Sequence, residues 1–190
     1  WKNGWPVAGE VFKEGTYEIE SERRGYALEL AVDFVRMEYT RHRFWEKDDT
    51  PVVPLKSQTL EDVIETWPQG KINVRIGDYM FRPHQKWTIT AVPDGGGYLG
   101  GPYYKIVIEG TNRALAATAD AEVVTVPEFT GAPEQLWRID QLTDGTYRIM
   151  PKEVPGTDKE LVLASVGDST PSLGEFDMNS DNSKWNFRDH

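Results

Sequence analysis

Three of the seven tryptophans in this 190-residue chain sit in nearly the same local sequence. Gln85-Lys86-Trp87-Thr88-Ile89, Gln135-Leu136-Trp137-Arg138-Ile139 and Ser183-Lys184-Trp185-Asn186-Phe187 each place Trp and an apolar residue two positions apart. That alternation sets both on one face of a strand. The copies are 50 and 48 residues apart, and a second signature accompanies them. Gly15-Thr16-Tyr17-Glu18-Ile19, Tyr103-Tyr104-Lys105-Ile106 and Gly145-Thr146-Tyr147-Arg148-Ile149 each open an alternating strand. The chain therefore holds three units that open on Tyr-x-Ile and close on Trp-x-Ile or Trp-x-Phe. One such unit does not bury its own apolar face, so the three must share a core.

From the opening Tyr to the closing Trp is 70 residues in the first unit, 33 in the second and 38 in the third, so the first carries an insertion. Between units, Gly95-Gly96-Gly97 and Asp144-Gly145 supply hairpin turn chemistry. Short strands at even spacing, repeated three times, predict an all-β fold, a β-trefoil of three repeats in a single domain spanning 1–190. Repeat one runs from about 12 to 90, with an insertion at about 36–80; repeat two covers about 98–140 and repeat three about 143–190. Within the insertion, Thr59 can cap a short helix over 57–67 on which Leu60, Val63 and Ile64 share a face. Lys71-Ile72-Asn73-Val74-Arg75-Ile76 alternates like an extra strand. Arg36, Arg41, His42 and Arg43, followed by Phe44-Trp45, form the most basic and aromatic stretch, read as a solvated surface loop.

Charge and composition narrow the function. With 31 acidic against 21 basic residues the net charge is −10, which argues against nucleic acid and anionic membranes as partners. The absence of Cys excludes a disulfide scaffold, Cys-ligated zinc, iron–sulfur clusters and thiol catalysis. It favours a cytoplasmic location, as does the lack of a visible signal peptide. Secretion stays open because the chain begins at Trp1. No apolar run has the roughly 18 residues of a membrane span. His42, His84 and His190 show no metal-ligand spacing, and no Gly-x-Ser-x-Gly elbow is present. The Gly-rich stretch at 95–101 lacks the Lys-Ser/Thr of a phosphate loop and reads as a hairpin. Asp177-Met178-Asn179-Ser180-Asp181 lacks the Gly and closing Glu of a calcium loop. No catalytic residues, no metal and no cofactor are expected; the chain reads as a binding protein rather than an enzyme.

The Gln-x-Trp strand ends resemble those of the β-trefoil superfamily, in which ricin-B-like lectins and fungal protease inhibitors share them. The resemblance covers Phe12 to the C terminus outside the insertion. In ricin-B-like lectins a sugar pocket uses an Asp in a Leu-Asp-Leu-like segment, an aromatic platform and an Asn near Gln-x-Trp. The matching segments here are Ala27-Leu28-Glu29-Leu30, Ala114-Leu115-Ala116-Ala117 and Glu160-Leu161-Val162-Leu163. The resemblance thus implies Glu29 and Asn182 as sugar-binding residues.

Lys13-Glu14-Gly15-Thr16-Tyr17, Tyr104-Lys105-Ile106-Val107-Ile108-Glu109-Gly110-Thr111-Asn112 and Trp185-Asn186-Phe187 look like the mycocypins, mushroom inhibitors of cysteine proteases. That resemblance implies a defence-type protein whose loops enter protease clefts: Arg24 and Gly25 toward papain-like enzymes, and Asn112 toward legumain. The adjacent Arg113 suits a trypsin-like pocket. The main expectation is therefore a protease inhibitor, with a ricin-B-like lectin of degenerate sugar sites as the alternative. A third is a subunit that docks on a larger protein through Trp45 and Trp67. Trp87, Trp137 and Trp185 are the structural anchors in all three.

Overall fold

The computed structural model describes residues 12–23, 26–32, 67–98, 101–166 and 170–189. Among them are twelve strands, four to a repeat. The first repeat holds β1 (Gly15–Ser21), β2 (Ala27–Leu30), β3 (Ile72–Gly77) and β4 (Trp87–Tyr98). The second holds β5 (Gly101–Ile108), β6 (Ala114–Ala117), β7 (Val123–Val126) and β8 (Trp137–Gln141). The third holds β9 (Tyr147–Pro151), β10 (Val162–Val166), β11 (Thr170–Gly174) and β12 (Trp185–Asp189).

The first and fourth strands of each repeat close on themselves. β1 pairs with β12 and β4, β4 with β5, β5 with β8, β8 with β9, and β9 with β12, all antiparallel. A ring of six strands leaves no edge to template aggregation. The other six strands form three hairpins, β2–β3, β6–β7 and β10–β11. β3 and β7 also pair with each other.

The repeated Tyr and Trp explain the closure. Tyr17 lies opposite Trp87, Tyr104 opposite Trp137, and Tyr147 opposite Trp185. All three indoles are fully buried. An indole N–H removed from water needs an acceptor, and each finds the same one. Nε1 of Trp87, Trp137 and Trp185 donates to the carbonyls of Leu28, Leu115 and Leu163, in every case at 2.9 Å. Each bond ties the fourth strand of a repeat to its second strand or its immediate neighbourhood. The tie spans 59 residues of chain in the first repeat and 22 in the other two, so the extra length lies between β2 and Trp87.

The Gln two residues before Trp does a separate job. It closes a short 3₁₀ turn, Pro83–Gln85 or Pro133–Gln135, and its side chain reaches back over the preceding loop. Gln85 Oε1 accepts from Met80 N at 2.8 Å, and Gln135 Oε1 from Thr130 N at 2.7 Å. In the third repeat the equivalent turn is Asp181–Ser183, where Ser183 replaces Gln.

Phe12 meets all three repeats at one end of the barrel. Its ring lies 5.1, 5.9 and 5.6 Å from Tyr17, Tyr104 and Tyr147, and 4.6 Å from Phe187. Tyr104 donates its hydroxyl to Phe12 O and Tyr17 to Lys13 O. The segment before β1 is thus held by the tyrosines that open the repeats.

One boundary differs from the sequence reading. The alternating stretch at 71–76, expected inside the insertion at 36–80, is β3 and belongs to the repeat. It pairs with β2 from Leu30↔Val74 to Ala27↔Gly77 and buries Ile72, Val74 and Ile76. The repeat unit resumes at Gly70, and Val32–Gln69 separate from it as a second unit. The helix expected at 57–67, the basic stretch at 36–45 and the loop residues Arg24 and Gly25 lie outside the described residues, apart from Trp67. That residue is buried and offers no exposed ring for the expected docking role.

Candidate functional site

Glu29 is the one acidic residue at its position in the three repeats. The Trp-to-carbonyl bonds align Leu28, Leu115 and Leu163, so Glu29 corresponds to Ala116 and Ala164. The third-repeat segment is accordingly 162–165 rather than the Glu160-Leu161-Val162-Leu163 expected from sequence, a shift of two residues, which puts Leu163 instead of Leu161 in the place of Leu28.

The surroundings of Glu29 differ from those of a sugar ligand. The residue is only 4% exposed. Arg75, its register partner across β2 and β3, donates Nε to Oε2 at 2.7 Å, and His84 Nε2 lies 3.3 Å from the same oxygen. Gln85 Nε2 donates to Oε1 at 2.8 Å. Burial by itself would raise the carboxyl's pKa; hydrogen bonds from His84, Arg75 and Gln85 outweigh it and hold the group below its ordinary value. Gly77 makes the room, since a Cβ there would stand 2.9 Å from Glu29 Oε1. The carboxylate expected to hold sugar hydroxyls is therefore a structural group, engaged by donors of its own repeat.

The beginning of this polar cluster also shapes an exposed loop. Gln85 pins Met80 N and, at 3.4 Å, Arg82 N, on either side of Phe81. Phe81 is held between them at φ 58°, an uncommon conformation for an aromatic residue, with 73% of its surface exposed. Asn182 sits on the 3₁₀ turn at the position corresponding to His84. It is exposed, and its backbone N–H donates to Ser180 Oγ.

The β5–β6 turn separates the two other residues singled out from sequence. Gly110 takes φ 78°, and Thr111 Oγ1 donates to Ile108 O while accepting from Arg113 N. Asn112 is presented to solvent, with Nδ2 donating to Glu128 Oε2 at 3.1 Å. Arg113 turns inward, contrary to the expectation of a projecting loop residue. It is 8% exposed, its guanidinium donates to Gly70 O at 2.8 Å, and burial pulls its pKa down.

A cleft that sequence reasoning missed opens on the outer face of the barrel. It measures about 760 Å³ and lies where Tyr103 of β5, Arg138 of β8 and Met150 of β9 face the segment 152–160. Tyr104, Trp137 and Ile149 face the barrel interior, so strand alternation puts Tyr103, Arg138 and Met150 on the opposite face, where Arg138 and Met150 are themselves buried at the base of the cleft and Tyr103 is half-buried. Arg138 donates Nε to Asp140 Oδ2 at 2.9 Å, and Arg148 joins the same oxygen at 2.7 Å. Lys152 Nζ stands 5.2 Å from the centre of the Tyr103 ring. The facing wall is built by a turn. Pro155 and Gly156, the latter at φ 84°, occupy the two central positions, and Thr157 N donates to Val154 O at 3.2 Å. Val154 is buried, and Lys152 N donates to Leu136 O at 2.7 Å, which anchors the base of the wall to the barrel. The run 150–160 supplies most of the lining, and Tyr103 and Arg138 join it only because β5, β8 and β9 pair side by side, which no local motif announces.

Among the described residues no group of three His, Asp or Glu side chains could hold a metal ion. No helix among them is long and apolar enough to cross a membrane.

Known proteins place this geometry. Residues 83–165 match the model of the ricin-type beta-trefoil lectin domain-like family, and the fold superposes on solved structures over nearly its whole length. The designed threefold-symmetric protein ThreeFoil superposes with a TM-score of 0.59 at 20% identity, over 93% of this chain and 99% of its own. The chain is a β-trefoil. A second trefoil neighbour, the Polyporus squamosus lectin bound to a human-type influenza-binding epitope, gives 0.60 at 16% identity and covers 94% of this chain. A mosquitocidal holotoxin gives 0.61 at 15% identity, also over 94%. The trefoil spans 50% of that lectin chain and 18% of the holotoxin chain. A comparison with curated proteins by sequence returns no match. Every residue lining the Tyr103 cleft falls inside the matched segment of the trefoil.

Proposed function

We propose that this β-trefoil is a non-catalytic carbohydrate-binding module. The observation that carries the reading is the match of residues 83–165 to a lectin-type trefoil family, on a chain whose three repeats all keep the buried Trp and its carbonyl partner. A closed barrel with short anchored loops supports the reading in physical terms, because a preformed surface loses little conformational entropy on binding. Fold alone leaves the ligand open, and the site has to decide it. A glycan array probed with the labelled protein tests the proposal. Binding to a defined group of saccharides, competed by the free sugar, is expected. No binding across a broad array at micromolar protein overturns it.

The inhibitor reading retains one specific feature, the solvent-presented Asn112 on its braced turn. Arg113 no longer contributes, and the family match lends the reading nothing. Titration against a papain-like protease, legumain and trypsin separates the two: stoichiometric inhibition of legumain that is lost in Asn112→Ala would replace the carbohydrate reading, and inactivity toward all three removes the inhibitor.

A further inference from the structure

Resting on the carbohydrate-binding reading, we propose that the cleft over Tyr103 is the ligand site of this trefoil and takes a neutral, hydroxyl-rich oligosaccharide. The hairpin positions of the three repeats leave little alternative. Glu29 is engaged by Arg75, His84 and Gln85, and its counterparts Ala116 and Ala164 bring no acceptor at all.

The cleft has the size and stiffness such a ligand needs. Its volume of about 760 Å³ falls in the range typical of small-molecule sites, roughly 300–1,000 Å³. One wall is barrel strand; the other is the turn at 154–157, fixed by buried Val154 and by the Pro155-Gly156 backbone. Neither wall requires ordering when a ligand arrives.

The side chains around it select the ligand class. A sugar hydroxyl both donates and accepts, so it is best met by donors and acceptors set side by side. The rim supplies both: Lys152 and Lys159 as donors, Glu153, Asp158 and Glu160 as acceptors, all exposed at the cleft. With Arg138 on the floor, three basic groups stand against three acidic ones, so the lining carries no excess charge to select an acidic sugar. Arg138 is itself joined to Asp140, which reduces its pull on an anion further. The chain's net charge of −10 adds long-range repulsion of polyanionic glycans. Tyr103, half-buried, supplies an aromatic ring now covered by the exposed Lys152 ammonium at 5.2 Å; a sugar's apolar C–H face takes that place when the flexible lysine side chain swings aside to donate to a hydroxyl, with the Tyr103 hydroxyl as a polar handle.

Isothermal titration of the full chain with N-acetyllactosamine, chitotriose and mannotriose, alongside sialyllactose and a heparin tetrasaccharide, tests the assignment. At least one neutral saccharide is expected to bind, and Tyr103→Ala to weaken it at least tenfold. Asp158→Asn/Lys159→Gln, both exposed and outside the core, weakens it independently of folding, and Asn182→Ala leaves it unchanged. Neutral binding that survives both Tyr103→Ala and the double substitution overturns the site while the carbohydrate reading stands. Binding of the acidic saccharides alone overturns the ligand class. If none of the five binds and the glycan array is also blank, the carbohydrate reading fails and this inference with it.

Discussion

Replacing Glu18 with Gln should flatten the dependence of stability on pH between 5 and 8. Glu18 lies on β1 between the core residues Tyr17 and Ile19, yet is only 4% exposed. Among the groups that face it are Glu20 on the same strand, Arg188 opposite on β12, and Tyr79 from the segment after β3. Burial, followed by the charge and hydrogen bond of Glu20, pushes the Glu18 carboxyl up to about 7, with Arg188 opposing. Arg188 is committed to Glu20, with Nε 2.9 Å from Oε2 and Nη2 3.3 Å from Oε1. With Arg188 held by Glu20, Glu18 has no cation of its own and retains its proton up to about pH 7. Tyr79, pushed up to about 12 by burial and by the charges of Glu18 and Glu109, stays neutral through the window.

A carboxyl whose folded pKa is raised above the unfolded 4.5 stabilises the fold while protonated. That stability is fully present below 4.5 and disappears as pH rises through 7. Linkage then gives a loss of about 2 to 3 kcal/mol from this group between pH 5 and 8. Gln keeps the shape and the neutral, hydrogen-bonding character at every pH. Urea unfolding of both proteins at pH 5, 6, 7 and 8 reads the difference: the wild-type curve should fall more steeply by that amount. Equal slopes in the two proteins would refute the reasoning, because they would show that Glu18 ionises at the same pH whether the chain is folded or not.

Two further substitutions probe the repeat architecture. Trp137→Phe keeps most of the ring but strands the buried carbonyl of Leu115, for an expected loss of about 1–3 kcal/mol by urea unfolding; Trp137→Ala should cost about 3–5 kcal/mol through the cavity it leaves. Gly77→Ala drives a methyl to 2.9 Å from Glu29 Oε1, so it should destabilise by about 1–3 kcal/mol. In a Glu29→Ala background the same change should cost clearly less, since nothing remains for the methyl to strike, and additive losses in that cycle would show the contact to be irrelevant.

The parts of this fold that could be read in advance are those set by near neighbours in sequence. Tyr17, Tyr104 and Tyr147, and the three Trp, announce strands because a period of two needs only a few residues to show itself. Their threefold recurrence then requires a shared core. The function was less legible. Glu29 looked like an open ligand because the sequence shows a carboxylate but not Arg75, 46 residues away, whose guanidinium occupies it. Arg113 looked like a loop tip because Gly110-Thr111-Asn112 is turn chemistry, whereas its direction depends on the carbonyl of Gly70.

Sequence by itself determined that there are three repeats, that each is anchored by a buried indole, and that an acidic, Cys-free chain must hold together by packing. The tertiary structure decided which strand the stretch at 71–76 becomes, which polar residues are spent on the fold, and where a cleft is left over. The physical reason is the same in each case. Alternation and turn propensity act over a few residues, whereas a partner for a buried carboxylate, or the far wall of a cleft, comes from wherever closing the barrel happens to bring it.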